Sequence, residues 1–198
     1  MAAGLQIEIL DASSAKKYLE QIAQLRMTVF RDFPYLYDGN IDYEHKYLET
    51  YFQSPGARVV LCRDQDKVVG ASTVIPMSDE DQSLQRPLAN AGIDPKTVMY
   101  FGESVLLSDY RGRGAGKAFF VERLKHAESY PGIKKAAFCA VQRASDHPLR
   151  PKNYQPLDGL WQSFGFNSVP GLTCTMTWKQ IDETQESAKT LQYWLRDI

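Results

Sequence analysis

The stretch Tyr100–Tyr130, YFGESVLLSDYRGRGAGKAFFVERLKHAESY, constrains this chain more than any other. An extended run from Tyr100 to Leu107 enters a polar turn at Ser108, Asp109 and Tyr110. Arg111-Gly112-Arg113-Gly114-Ala115-Gly116-Lys117 follows, and then a helical pattern with Phe120, Leu124 and Ala127 at i, i+4 and i+7 on one face. Strand, glycine turn and helix start, in that order, aim backbone N–H groups and the positive end of a helix at an anion. Each glycine would cost a helix about 1 kcal/mol relative to alanine, but it also leaves no Cβ between backbone and ligand. The segment predicts a phosphate-bearing ligand at the start of the helix.

Spacing discriminates among such ligands. A nucleoside-triphosphate loop, G-x-x-x-x-G-K-[ST], would need glycine where Arg111 stands and a hydroxyl where Ala118 stands. A dinucleotide fingerprint, G-x-G-x-x-G from Gly112 and Gly114, would need glycine where Lys117 stands. The pattern [QR]-x-x-G-x-[GA] is met by Arg111, Gly114 and Gly116. With the wording YRGRGAG between an apolar strand and an amphipathic helix, it resembles motif A of the GNAT superfamily of acyl-CoA N-acyltransferases.

Composition narrows the partners. A net charge of −1 offers no general attraction to nucleic acid or to an anionic membrane surface. Hydrophobic residues make up 43% and charged residues 24%, the balance of a soluble globular chain, and 198 residues suit one domain over 1–198. No apolar run approaches the ~20 residues of a membrane span. The start MAAGLQIEIL lacks the basic and long apolar regions of a secretory signal. Cys62, Cys139 and Cys174 each lie in an apolar strand-like run and read as reduced core residues of a cytoplasmic protein. His45, His126 and His147 share no metal-ligand spacing with them, so no metal is expected.

Along the chain, Leu5–Leu10 reads as a strand, and Asp11 or Ser13 as the cap of a helix running to about Phe30. Arg31–Asn40 is a loop carrying Phe33, Tyr35, Leu36 and Tyr37; it either plugs the core or forms an aromatic wall beside a substrate. Ile41–Phe52 is helical, with Tyr43, Tyr47 and Tyr51 four apart as a packing face. Arg58–Cys62 and Lys67–Ile75 form a hairpin. Pro76–Lys96 is an irregular excursion with one short helix. Lys135–Val141 (KAAFCAV) has the continuous apolar character of a strand buried on both faces. Arg143–Pro156 is a long, locally basic loop. Leu157–Phe164 is a helix with Gly165 as its C-cap, Leu172–Lys179 a strand, and Asp182–Asp197 a terminal helix docking through Leu191, Trp194 and Leu195.

This order resembles the GNAT order over most of the chain, and Leu160–Phe166 (LWQSFGF) looks like the family's late helix and G-F ending. The resemblance implies an α/β (α+β) fold: a mixed sheet of about six strands, splayed at the fourth and fifth, flanked by helices. Too few residues separate Gly165 from the expected terminal helix for the family's final strand pair, so the last strand is expected to be lost or replaced.

The resemblance also implies acetyl-CoA in the splay. Its pantetheine arm would lie against the backbone of Val105, Leu106 and Leu107. The N–H groups of Arg111, Gly112, Arg113, Gly114, Ala115 and Gly116 would hold its pyrophosphate, and Arg113 or Lys117 would add charge. A carboxylate near the thioester can take the amine proton. Glu103, inside an apolar strand, is the candidate; alternatively it is exposed, or paired for structural reasons. A strand N–H near Leu106 would polarise the carbonyl. The family's late-helix tyrosine is Trp161 here, which cannot act as an acid, so Tyr154 is the alternative donor or else a packing residue. Tyr35, Tyr37, His147 and Arg150 are the acceptor-site candidates, with His147 and Arg150 suited to a carboxylate or phosphate group. The chain is expected to be an N-acetyltransferase acting on a primary amine, small rather than protein-borne, with a homodimer as the candidate assembly. The competing reading is a non-catalytic acyl-CoA-binding regulatory module.

Overall fold

The structure, a computed structural model, describes residues 4–198. A seven-stranded sheet in the order β1-β2-β3-β4-β5-β7-β6 is its centre. The strands are β1 (Leu5–Asp11), β2 (Arg58–Asp64), β3 (Lys67–Pro76), β4 (Val98–Leu106), β5 (Lys135–Val141), β6 (Asn167–Trp178) and β7 (Ser187–Asp197). Every neighbouring pair is antiparallel except β4 and β5.

The first helical region is interrupted where one continuous helix was expected. It consists of α1 (Ala12–Ala15), a 3₁₀ turn (Lys16–Tyr18) and α2 (Leu19–Phe30). Asp11 is the cap, its side chain accepting from Ser14 N–H at 2.8 Å. Asn40 caps α3 (Ile41–Gln53), accepting from the Asp42 and Tyr43 N–H groups. The excursion after β3 holds α4 (Gln82–Asn90), and α5 (Ala115–Ser129) crosses from β4 to β5. The late helix, α6, is short (Asp158–Ser163), and Gly165 has φ 79° where the chain leaves it.

Alternating side chains bury the sheet on both faces. Val59 and Leu61 pack with Ile22, Leu25 and Leu48 beneath α2 and α3. Val60 and Cys62 face the opposite way, onto Phe119 of α5. Further along α5, Phe120 and Leu124 pack on Val74, Met99, Phe101 and Phe138.

The C-terminal expectation is overturned. Asp182–Asp197 is not a helix: β7 fills Ser187–Asp197 and lies between β5 and β6. Leu191, Trp194 and Leu195 satisfy a helical spacing, yet Leu191 and Tyr193 pack on one side of the strand and Trp194 on the other. Because both faces are covered, the period-2 signal is masked, and only pairing with β5 reveals the strand. The final strand pair is therefore present, and the sheet has seven strands rather than about six. Strand β6 also begins earlier than Leu172, at Asn167, with a break in register between Ser168 and Thr173 near Gly171, whose φ is 80°.

The splay at the fourth and fifth strands is present. The parallel ladder pairs only Val98, Met99 and Tyr100 with Lys135, Ala136 and Ala137. On its other side β4 stays paired with β3 as far as Leu106. From Phe101 onward, β4 has no ladder partner on the β5 side.

Candidate active site

The open edge of β4 leads from the sheet interior to the glycine turn. Leu107 N–H donates to Val69 C=O at 3.0 Å. Alternation then directs the N–H and C=O of Leu106 to the open edge, where Arg111 Nε donates to the Leu106 carbonyl at 3.3 Å. The turn itself has φ 75° at Gly112 and 91° at Gly114, left-handed values that glycine adopts without strain. A Cβ at Gly112, Gly114 or Gly116 would meet no atom within 4 Å, so space lies open above all three. The first backbone bond of α5 runs from Ala118 N–H to Gly114 C=O. The N–H groups of Ala115, Gly116 and Lys117 thus precede the helical ladder, and no side chain caps them. Gly112, Arg113, Gly114 and Lys117 line one cleft together with Ile7, Ala118, Val121 and Glu122. Arg113 folds back over the Tyr110 ring and donates to Asp109 C=O at 2.8 Å. Lys117 is exposed.

Glu103 sits at a β-bulge. Ser72 opposes Ser104 and Val74 opposes Phe101, so Thr73 faces two residues, Gly102 and Glu103. A bulge re-aims side chains, and this one turns Glu103 inward, where it is 5% exposed. Of the sequence alternatives, exposure is excluded and pairing is present: Arg26 Nη1 donates to Glu103 Oε2 at 2.7 Å, while Arg26 Nε bonds Glu44. Arg26 also stacks over Tyr47, 4.1 Å from the ring centre. Burial pushes the Glu103 carboxyl above its ordinary range, and the Arg26 charge opposes that rise. Glu103 Oε1 and Glu44 Oε1 have no hydrogen-bond partner among the described residues. Two buried carboxylates thus share one guanidinium.

Sequence reasoning missed the rest of this network. Tyr47 Oη donates to Glu103 Oε2 at 3.3 Å and lies 3.0 Å from Tyr51 Oη; Tyr51 Oη donates to Glu80 Oε1 at 2.6 Å. Glu80 is 7% exposed, and burial raises its carboxyl as well. A usable signal was present: Arg26 lies on the face of α2 that buries Ile22, and Glu44 on the face of α3 that buries Leu48. Charged residues on buried stripes demand partners. On the other side of β4, Arg123 donates to Glu103 C=O at 3.3 Å and to Ser104 Oγ at 2.8 Å, between the rings of Phe101 and Phe120.

The aromatic loop Arg31–Asn40 and the basic loop Arg143–Pro156 are tied to each other. Arg143 donates to Pro34 C=O at 2.6 Å and to Tyr35 C=O at 3.0 Å. The Phe33 ring meets His147 at 5.7 Å and Tyr154 at 4.7 Å, and Arg150 lies over both Phe33 and Tyr154. The core-plug reading of the aromatic loop holds for Tyr37 and in part for Tyr35. Tyr37 is buried in the core, and its hydroxyl accepts from Asn40 N–H. Tyr35 is half-buried against Phe30 and Trp178. Tyr154 stays within the loop cluster, against Phe33 and Arg150, and partial burial raises its phenol. Trp161 packs edge-on against Phe138 and Trp194, a structural post at the position where the resemblance implied a tyrosine.

Among the described residues no group of three or more His, Cys, Asp or Glu could hold a metal ion, and no helix is long and apolar enough to cross a membrane. Cys62, Cys139 and Cys174 are buried and free.

Solved structures share this fold. NAA60 of Arabidopsis thaliana in complex with acetyl-CoA superposes with a TM-score of 0.64 at 12% identity, over 98% of each chain. The protein yncA of Salmonella typhimurium with its cofactor acetyl-CoA gives 0.60 at 10% identity, over 98% of this chain and 94% of that one. A GCN5-related N-acetyltransferase from Kribbella flavida gives 0.60 at 16% identity over the whole of both chains. At such identities the likeness is one of fold. No curated protein sequence matches. The family described as Acetyltransferase (GNAT) matches residues 19–151, from α2 through the long loop after β5. That span holds the open edge, the glycine turn and Glu103, and the chain belongs to the GNAT acetyltransferase family.

Proposed function

We propose that this protein transfers the acetyl group of acetyl-CoA to the primary amine of a small molecule by direct attack, with Glu103 taking the amine proton. The observation that carries the reading is the juxtaposition on β4 of an unpartnered edge, a buried carboxylate and a glycine turn open above Gly112, Gly114 and Gly116. These residues fit acetyl-CoA. The turn has free donors and no Cβ in the way, Val105 to Leu107 supply an extended edge, and Lys117 and Arg113 supply positive charge for phosphate.

Bound acetyl-CoA supplies an acyl thioester, and the chain's own residues do the rest. The Leu106 N–H, directed to the open edge, is placed to polarise a carbonyl there. Glu103 Oε1, without a hydrogen-bond partner among the described residues, is the oxygen that accepts the amine proton. The Arg26 charge opposes the rise caused by burial and so favours the ionised form that a base requires. Tyr154 keeps its proton because burial raises its phenol, and it is the proposed donor to the leaving thiolate. Tyr35, His147 and Arg150 form the acceptor side, with Arg150 the candidate partner for a carboxylate or phosphate on the amine. Tyr37, enclosed in the core, supports that loop from beneath. The loop pair tied by Arg143 favours a small acceptor over a protein chain.

The test is thiol release from acetyl-CoA across a panel of small amines, with product mass spectrometry, for the wild type and Glu103→Gln. Stabilisation by CoA, thiol release dependent on an amine, and a large loss in Glu103→Gln are expected. Stabilisation by CoA with no release under any amine would favour the non-catalytic reading. No response to millimolar CoA would sink the cofactor assignment.

A further inference from the structure

The hydrogen-bond chain Glu103–Tyr47–Tyr51–Glu80 has three links: 3.3 Å, 3.0 Å and 2.6 Å. Each link needs one proton between its two oxygens. The two phenols supply two. An ionised carboxylate only accepts. If both glutamates were ionised, Tyr47 would donate to Glu103, Tyr51 would donate to Glu80, and the two hydroxyl oxygens would face each other at 3.0 Å with nothing between them. One additional proton removes the conflict. Placed on Glu80, it points every donor towards Glu103; placed on Glu103, it points every donor towards Glu80. The two arrangements are equally complete, and they differ only by a shift of each proton along its link.

We propose that Glu103, Tyr47, Tyr51 and Glu80 hold one shared proton and use it to carry the amine proton out of the cleft to the loop at Met77–Asp81. The transport half of this rests on the acetyltransferase reading above; the shared proton does not. In the starting arrangement Glu80 is protonated, and Tyr51, Tyr47 and Glu103 accept in turn. Glu80 releases its proton to water, flanked by the exposed Asp79 and Asp81. Glu103 Oε1 takes a proton from the amine. A half-turn of the carboxyl presents that O–H to Tyr47, as the Tyr47 hydroxyl turns from Glu103 to Tyr51 and the Tyr51 hydroxyl turns from Tyr47 to Glu80. Three protons then move one place each, from Glu103 to Tyr47, from Tyr47 to Tyr51 and from Tyr51 to Glu80, and the start is restored. One O–H bond is broken and one formed at every link. The net change is one proton moved from the amine to solvent.

The surroundings suit this role. Tyr47 and Tyr51 stand four apart on α3, so their hydroxyls share a face. Gly102 leaves the room for the second of them, since a Cβ there would lie 2.1 Å from Tyr51 Oη. Arg26 from α2, Glu44 from α3, Thr73 from β3 and Arg123 from α5 surround Glu103. Glu80 meets Tyr51 and the Asp81 N–H, with Tyr100 nearby. Burial disfavours the ionised form of both glutamates, so retaining one proton is inexpensive. Tyr47, Tyr51 and Glu80 act through Glu103 and are positioning residues.

The experiment pairs infrared spectroscopy of the glutamate-labelled full chain at neutral pH with turnover on acetyl-CoA and an amine. The wild type is expected to show a protonated carboxyl band. Tyr47→Phe separates a Glu103–Arg26 pair from a Glu80–Tyr51 pair, each complete without an extra proton, so the band should vanish. Simple burial predicts the opposite, because Glu103 would lose a donor and hold its proton more tightly. Glu80→Gln supplies an N–H in place of the shared proton; it should abolish the band too, and it serves if Tyr47→Phe fails to fold. In both variants kcat should fall at least about 10-fold, with KM for acetyl-CoA unchanged and a larger solvent deuterium isotope effect. A wild type without the band, or a band that survives in either variant, overturns the shared proton. A lost band with unchanged kcat overturns the transport. A wild type that transfers no acetyl group but shows the band and its loss sinks the acetyltransferase reading and the transport with it, and leaves the shared proton standing.

Discussion

Gly102→Ala is the sharpest probe of the packing around the candidate base. Gly102 does not adopt a left-handed φ, so alanine is free of backbone strain there, and the cost arises from contact. The new Cβ would lie 2.1 Å from Tyr51 Oη, 2.5 Å from Thr73 Oγ1 and 2.8 Å from Tyr51 Cζ. Tyr51 is fully buried and its hydroxyl is held by Glu80, so it cannot swing into solvent. Overpacking of this kind costs about 1–3 kcal/mol. Displacing the phenol leaves Glu80 short of its donor, for about 1–3 kcal/mol more. A total near 3 kcal/mol is expected, which in a chain of this size lowers Tm by about 6–12 °C. Urea unfolding of the wild type, Gly102→Ala, Tyr51→Phe and the double variant measures it. Removing Oη removes the shortest contact, so the alanine should cost much less on the Tyr51→Phe background, a coupling of about 1 kcal/mol or more. If Gly102→Ala lies within about 0.5 kcal/mol of the wild type, or if the two costs simply add, the close approach of β4 and α3 is not as described.

Other outcomes can be checked more briefly. Arg26→Met leaves Glu44 and Glu103 buried without their shared cation and should destabilise by about 3–5 kcal/mol in chemical unfolding. Because the Glu103 carboxyl is raised by burial and must lose its proton to act, kcat/KM for the amine should rise with pH through a midpoint above the ordinary glutamate value near 4.3. Arg26→Met should move that limb of the pH–rate profile to still higher pH, since the lost charge had opposed the rise; an unmoved limb would remove Glu103 from the base role. Lys117→Ala should raise KM for acetyl-CoA about 10-fold with kcat unchanged, the loss expected for one exposed charge-assisted contact. His126, half-buried with Nε2 on Gly56 C=O at 2.8 Å, is pushed down by burial. Its contribution to stability is therefore present above the unfolded value near 6.5 and is lost as pH falls through its lower folded value. His126→Gln should flatten that part of a Tm–pH curve.

Local signals in the sequence reached most of the fold. The glycine turn, the hairpin Arg58–Pro76 and the apolar run Lys135–Val141 each carry a pattern that only one element satisfies. The C-terminal segment did not, because Leu191 and Tyr193 face one core and Trp194 another, which imitates a helical stripe. Of the candidate site, Glu103 and the glycine turn stand out in the sequence, and the structure leaves open space above Gly112, Gly114 and Gly116. The deeper half of the site does not stand out. Tyr47 and Tyr51 fit a packing face so well that their hydroxyls went unweighed, and Arg26 lies 77 positions from the carboxylate it pairs with. A contact of that range has no sequence period. Only the fold brings α2, α3 and the bulge of β4 to one point.

The short parallel seam has a mechanical consequence. Four strands on one side, β1 to β4, and three on the other, β5, β7 and β6, meet through a ladder confined to Val98–Tyr100. The sheet is thus two stiff plates joined along one edge like a book at its spine, with α5 lying across both. A rotation about that spine would be greatest at the far end of the splay, near Leu106 and the glycine turn, and it would have to carry with it the core that straddles the seam, where Met99 and Phe101 pack with Ala136, Phe138 and Trp194.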